Sequence, residues 1–135
     1  LFTDGKDKVF FHPPETYSDG HGFHHLIEIV SGPFRGVVKA SSYDGLAALK
    51  PFRQELAALY ESLKGEAHLP RSYDNAWLSV KGDGFGHLKV KGEVRAGNMM
   101  QSRLTFEFSI DQTHLPEIIK ALAGYSPASL ARWIL

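Results

Sequence analysis

Hydrophobic and polar positions along the chain follow two different periods. From Trp77 to Gln112, apolar residues recur at every second position over three consecutive segments. Leu78 and Val80 alternate with Trp77, Ser79 and Lys81. Leu88, Val90 and Val94 alternate with His87, Lys89, Lys91, Glu93 and Arg95, and Leu104, Phe106, Phe108 and Ile110 with Arg103, Thr105, Glu107 and Ser109. Such alternation predicts antiparallel strands with one dry and one wet face. Gly82-Asp83-Gly84 and Ala96-Gly97-Asn98 supply the turns. Upstream, 23–30 and 34–41 read as a hairpin broken at Ser31-Gly32-Pro33. Ile27 and Ile29 fall on one face of its first strand, and Leu26, Glu28 and Val30 on the other. Alternation alone therefore does not choose the inward face. Lys8-Val9-Phe10-Phe11 reads as a short edge strand, ended by Pro13-Pro14.

Between the hairpin and the three strands the period lengthens. Leu49, Phe52, Leu56, Leu59, Tyr60 and Leu63 recur at helical spacing and leave Arg53, Gln54, Glu61 and Lys64 for solvent. Pro51 belongs in the first turn, so the regular helix begins near Lys50, with 44–49 as a looser lead-in. Lys64-Gly65 ends it, with the glycine taking a left-handed cap. A second helix starts after Asp111-Gln112-Thr113, where Thr113 caps and Asp111 faces the positive end of the dipole. Leu115, Ile118, Ile119 and Leu122 form its stripe and Gly124 ends it. Ser126-Pro127 restarts a short helix whose sticky face is Leu130, Trp133 and Ile134. The expectation is one α+β domain over residues 1–135. It has an antiparallel sheet of about five strands with helices packed on one face, in the order β-β-α-β-β-β-α plus a short C-terminal helix. Residues 1–22 form an irregular lead-in and 125–135 a helical tail.

Composition narrows the function classes. The 135 residues suffice for one core, and 15 Lys and Arg balance 15 Asp and Glu. A domain that neutralises many phosphates carries a basic excess, so no nucleic acid is expected as a partner. With no cysteine, disulfides, thiolate nucleophiles and cysteine-ligated zinc are excluded. No apolar run approaches the roughly 20 residues that cross a bilayer, and LFTDGKDKVFF lacks the layout of a signal peptide. The expectation is a cytoplasmic protein without a membrane partner.

The seven histidines invite metal or acid–base chemistry. His21, His24 and His25 are close together, with His12 upstream. In a strand, however, His24 and His25 point to opposite faces, and no carboxylate sits at a familiar ligand spacing. No metal or cofactor is expected. His87 with Glu93 or Glu107 would assemble a general base, but on a flat sheet rather than in a concave, partly dry pocket. Gly82-Asp83-Gly84-Phe85-Gly86 lies between two strands and has no following Lys-Ser/Thr pair, so it reads as a hairpin turn, not a phosphate loop. Lys81, Lys89, Lys91, Arg95 and Arg103 form a basic stripe with Trp77 as the only aromatic outside. That lacks the stacking platform of sheet-type RNA binders. Together with Glu93 and Glu107, it suits a mixed-sign protein surface.

Several short patterns resemble the WapI-type immunity protein family, small proteins that neutralise polymorphic toxins of bacterial competition systems. They are Gly32-x-Phe34-x-Gly36, Phe52-Arg53-x-Glu55-Leu56 and Gly65-x-Ala67-x-Leu69. The most distinctive are Gly84-x-Gly86-His87-x-x-Val90-x-Gly92 and Phe106-x-Phe108-x-Ile110-Asp111-Gln112-Thr113-x-Leu115. Where that family is expected to carry an aspartate followed by Trp-Leu, this chain reads Asp19-Gly20-His21-Gly22-Phe23-His24-His25-Leu26. The resemblance implies an α+β antiparallel fold and a binding role, not an enzymatic one, with a cognate toxin protein as partner. The first candidate contact surface is Trp77 with Lys81, His87, Lys89, Lys91, Arg95 and Arg103. The second is His21, His24 and His25 with Trp133 of the tail. A small histidine-dependent or metal-dependent hydrolase would require His12, His21 or His25 to converge on an ion or a deep pocket. A structural interaction module would extend its tail into another chain.

Overall fold

The structure, a computed structural model, describes residues 2–18, 21–44 and 46–124. Five antiparallel strands form the first sheet: β1 (Phe2–Thr3), β2 (Lys8–Phe11), β3 (Glu15–Thr16), β4 (Phe23–Ser31) and β5 (Phe34–Ser42). β4 is its axis. β5 pairs with it over its full length, from Phe23 opposite Ser42 to Ser31 opposite Phe34, and β2 and β3 share its other side. Helix α1 (Leu49–Ser62) follows, and then the second sheet in the order β6 (Lys64–His68), β7 (Ala76–Asp83), β8 (His87–Ala96) and β9 (Ser102–Asp111). Helix α2 (Leu115–Ala123) closes the described chain.

The α+β class and the antiparallel pairing are as the sequence predicts, and the element order roughly so. The strands divide between two sheets instead of forming one. Residues 2–16, expected to be irregular, supply three short strands, and Lys8–Phe11 is flanked by β1 and β4 rather than lying at an edge. These segments are two to four residues long, too short to display a period. The helical tail expected over 125–135 lies outside the described residues. No helix among the described residues is long and apolar enough to cross a membrane.

One apolar cluster joins everything. Phe23, Ile27 and Ile29 of β4 meet Leu78, Val80, Leu88, Val90, Phe106 and Phe108 of the second sheet. α1 contributes Leu49, Phe52, Leu56 and Leu59, and α2 contributes Leu115, Ile118 and Leu122. The stripe on α1 is narrower than its spacing predicts, because Tyr60 is exposed and Leu63 only half-buried. Leu63 instead takes the left-handed cap expected of Gly65, at φ +62°, and its N–H donates to the Leu59 carbonyl at 2.8 Å. At the start of the second helical region, the Asp111 carboxylate rather than Thr113 does the capping: it accepts the Thr113 N–H at 2.9 Å.

The two sheets are stitched by the segment between β6 and β7. The buried Asn75 donates from Nδ2 to the Lys39 carbonyl of β5 at 2.8 Å and to the Arg95 carbonyl of β8 at 3.3 Å. Its own backbone carbonyl accepts the Arg95 N–H at 2.8 Å. Beside it, Ser42 and Ser72 hydroxyls pair at 2.6 Å, and the Asp74 N–H reaches the Ser41 carbonyl. Asn75→Ala removes both side-chain bonds and leaves two part-buried carbonyls without that donor. The expected loss is about 1–3 kcal/mol in urea unfolding, against a change within about 0.5 kcal/mol for Ser109→Ala on the exposed face.

Candidate functional site

The solvent face of the second sheet carries Trp77, Lys81, His87, Lys89, Lys91, Arg95 and Arg103, as the alternation predicts. Strand register sets their neighbours. Lys81 stands between Glu66 and Lys89, Lys91 opposite Glu107, Trp77 opposite Glu93, and Arg95 opposite Arg103. Lys89 pairs with Glu107 at 3.3 Å. Arg95 approaches Glu93 at 3.7 Å, and its guanidinium donates to the Asp74 carbonyl at 3.0 Å, so it belongs to the joint between the sheets. Among the described residues, no ion pair is recorded for Lys81, Lys91 or Arg103. Lys81, His87, Lys89 and Ser109 border a recess of about 310 Å³.

His87 does not join Glu93 or Glu107. Its Nδ1 lies 3.0 Å from Asp83, whose other oxygen accepts the N–H groups of Phe85 at 2.7 Å and His87 at 3.1 Å. The Phe85 N–H, and then the His87 contacts, hold the Asp83 carboxyl below its ordinary value. The donors of the glycine loop are thus already taken by a resident carboxylate, which accounts for the turn without a phosphate. Gln112 also has a structural use: its N–H donates to the Gly86 carbonyl at 2.9 Å, and its side chain lies against Gly86.

The first sheet presents a different outer face, one that alternation did not single out. Phe10, Leu26 and Val37 are 41%, 44% and 45% exposed on neighbouring strands, and Val30 lies beside them half-buried. Between Phe10 and Val37 in register stands Glu28, whose side chain is only 12% exposed. Arg35 covers it, with Nε and Nη2 at 2.8 Å and 2.7 Å from one carboxylate oxygen. That bond is the main reason the Glu28 carboxyl is held below its ordinary range. At one end of the face, His12, Pro13, Glu15, His24, Leu26 and Lys39 line a recess of about 440 Å³. The sequence carried a partial signal for this face: Leu26 and Val30 fall on the side of β4 opposite Phe23, Ile27 and Ile29, alternating there with His24 and Glu28.

The histidines do not converge. His21 is exposed just before β4, and Trp133 lies outside the described residues. His24 faces outward and approaches Glu15 at 3.4 Å, whereas His12 approaches Glu28 at 3.8 Å, so the two use different carboxylates. Among the described residues, no group of three or more potential ligands is placed to hold a metal ion. His25 points the opposite way, as strand geometry requires. It is buried at 3% exposure, 2.6 Å from the Tyr73 hydroxyl and edge-on to Phe11.

Burial is the chief cause that pushes the His25 imidazole from 6.5 down to about 4; the neighbouring His12 and His24 lower it further, and the His12 backbone opposes part of the shift. Below 6.5 the unfolded chain takes up a proton that the folded chain refuses, so stability falls as pH drops from 6.5 towards 4 and levels off below. Stability in urea is expected to drop by about 2 kcal/mol between neutral pH and about pH 5 on this account. His25→Gln should flatten that component of the profile.

The motif residues that carry the family resemblance sit in this scaffold. Gly84 and Gly86 shape the turn at φ +88° and +99°. A side chain at Gly92 would run into the Trp77 carbonyl and the Phe106 ring. Phe52, Leu56, Phe106, Phe108 and Ile110 are core. A comparison with curated proteins returns no match. The sequence does match the immunity protein WapI-like family over residues 10–126, from β2 past the end of α2. The chain therefore belongs to the WapI-like immunity protein family.

Proposed function

We propose that this protein binds a cognate bacterial toxin domain and neutralises it stoichiometrically, by covering the toxin's active site or the approach of its substrate. The observation that carries this reading is the family match across residues 10–126. The work would be done in the cytoplasm of the cell that makes the toxin, without catalysis, metal or cofactor. The geometry supports it by offering two broad, solvent-facing sheet surfaces, the form of site on which a few anchors can carry most of the affinity. On the second sheet the contact candidates are Trp77 with Lys81, His87, Lys89, Lys91, Arg95 and Arg103. His21 and His24 flank the first. His25 is withdrawn into the core, so its contribution is to stability.

One observation favours the hydrolase alternative: His12 and His24 border the same recess as Glu15. The two histidines pair with separate carboxylates, however, and the recess is open to solvent rather than enclosing a substrate. Neutralisation by binding needs none of that chemistry.

The test is co-expression with the C-terminal domain of a multidomain toxin encoded directly upstream. Growth should be restored, and the two purified chains should elute as a one-to-one complex with the toxin domain intact. Continued killing in the presence of soluble protein would refute the proposal. Rescue at far below equimolar amounts, with the toxin domain chemically altered, would point to an enzyme instead.

A further inference from the structure

We infer that the toxin docks on the outer face of the first sheet, through an apolar side chain flanked by carboxylates. This rests on the immunity reading and adds to it the surface and the partner's chemistry. Phe10, Leu26, Val30 and Val37 surround the Glu28–Arg35 pair on β2, β4 and β5, a cluster of exposed and half-buried apolar side chains of the sort that marks an interaction site. The inner side of β4 is buried in the core, whereas its outer side, where Leu26 and Val30 alternate with His24 and Glu28, is left partly exposed. The recess of about 440 Å³ beside Leu26 is a ready receptacle for one protruding side chain.

Charge identifies the occupant. Of the carboxylates of this face, Glu28 is engaged by Arg35, while Glu15 is exposed and has only the His24 imidazole at 3.4 Å. Among the described residues, Lys8 and Lys39 have no recorded ion pair, and they frame the field at opposite corners, facing Val30 and Leu26 in register. A second copy of this chain would bring the same two lysines against a single exposed carboxylate, Glu15. A toxin surface with Asp or Glu around an apolar anchor satisfies both lysines and leaves the Glu28–Arg35 pair undisturbed beneath it. Complementarity of this kind selects the partner, while the apolar contact holds it.

The experiment uses the full-length chain and the toxin's C-terminal domain in a binding titration and a growth-rescue assay. Leu26→Asp and Val37→Asp should each weaken binding at least about 100-fold and abolish rescue. Lys39→Glu should weaken it about 10-fold and reduce its salt dependence. Circular dichroism and thermal unfolding check that each variant folds. If the Asp variants do not fold, Lys39→Glu and Val37→Ser, both exposed, decide the matter. Thr105→Arg and Ser109→Arg, bulky changes on the exposed side of the second sheet, should bind as the unaltered chain does. Loss of binding in those two, with none in the first-sheet variants, overturns the inference and moves the contact to the second sheet. A dimer in sedimentation that Leu26→Asp dissolves assigns the face to a second copy and also overturns it. If the unaltered chain itself fails to bind or protect, the immunity reading falls instead.

Discussion

The amide of Asn75 holds the molecule in its arrangement. Two antiparallel sheets, each with one dry face, have no ladder between them. What fixes their relation is a buried side chain that donates to a carbonyl of each, at Lys39 and at Arg95. Apolar burial is non-directional and would tolerate sliding of one dry face over the other. The Nδ2 donors of a buried amide are directional and expensive to leave unpaired, so they select one register. The same short segment delivers Tyr73 to His25 and Ser72 to Ser42. The joint between the sheets is therefore also where the polar groups of the core are concentrated, and where acid would be felt first.

Legibility followed period and length. Three of the four strands of the second sheet were readable because their segments alternate strictly over eight to ten residues, whereas the five-residue β6, directly after α1, was not. α1 was readable because four core residues recur on one side of its 14 residues. The first sheet was readable only at its hairpin. β1, β2 and β3 are too short for a period to emerge, and their pairing depends on β4, which is distant in sequence. The segment 69–75 carries no period at all, so nothing in the chain announced that Asn75 joins two sheets. Leu63 at a left-handed cap is a tertiary override: the chain turns there directly into β6, and its carbonyl is taken by the Gly84 N–H at 2.9 Å.

The candidate surface was half legible for a related reason. Wet-face residues such as Trp77, Lys81 and Lys91 fall where a period of two puts them. The first-sheet face escaped because Leu26 and Val30 look like core residues, and a reader who expects apolar side chains inside cannot tell which half of a doubly apolar strand is left outside. Arg95 has a second use that its position in the pattern does not announce. It looks like a surface charge, yet its guanidinium is spent on the Asp74 carbonyl at the joint.

The two faces also differ in what they do for the free protein. On the second sheet, Glu107 pairs with Lys89 and Glu93 approaches Arg95, while Lys81, Lys91 and Arg103 are left to water among those carboxylates. On the first, Arg35 is drawn flat over Glu28, which removes one charge of each sign from the middle of an apolar field. That pairing lowers what a partner must desolvate, because the carboxylate is already hydrogen-bonded before anything docks. The family motifs add a second line of reasoning. Gly84, Gly86, Gly92, Phe106 and Phe108 build turns, close approaches and core, so membership is written in the scaffold. Discrimination between one toxin and another needs residues free of structural duty, and on this molecule Leu26, Val37 and Lys39 meet that condition on one contiguous face.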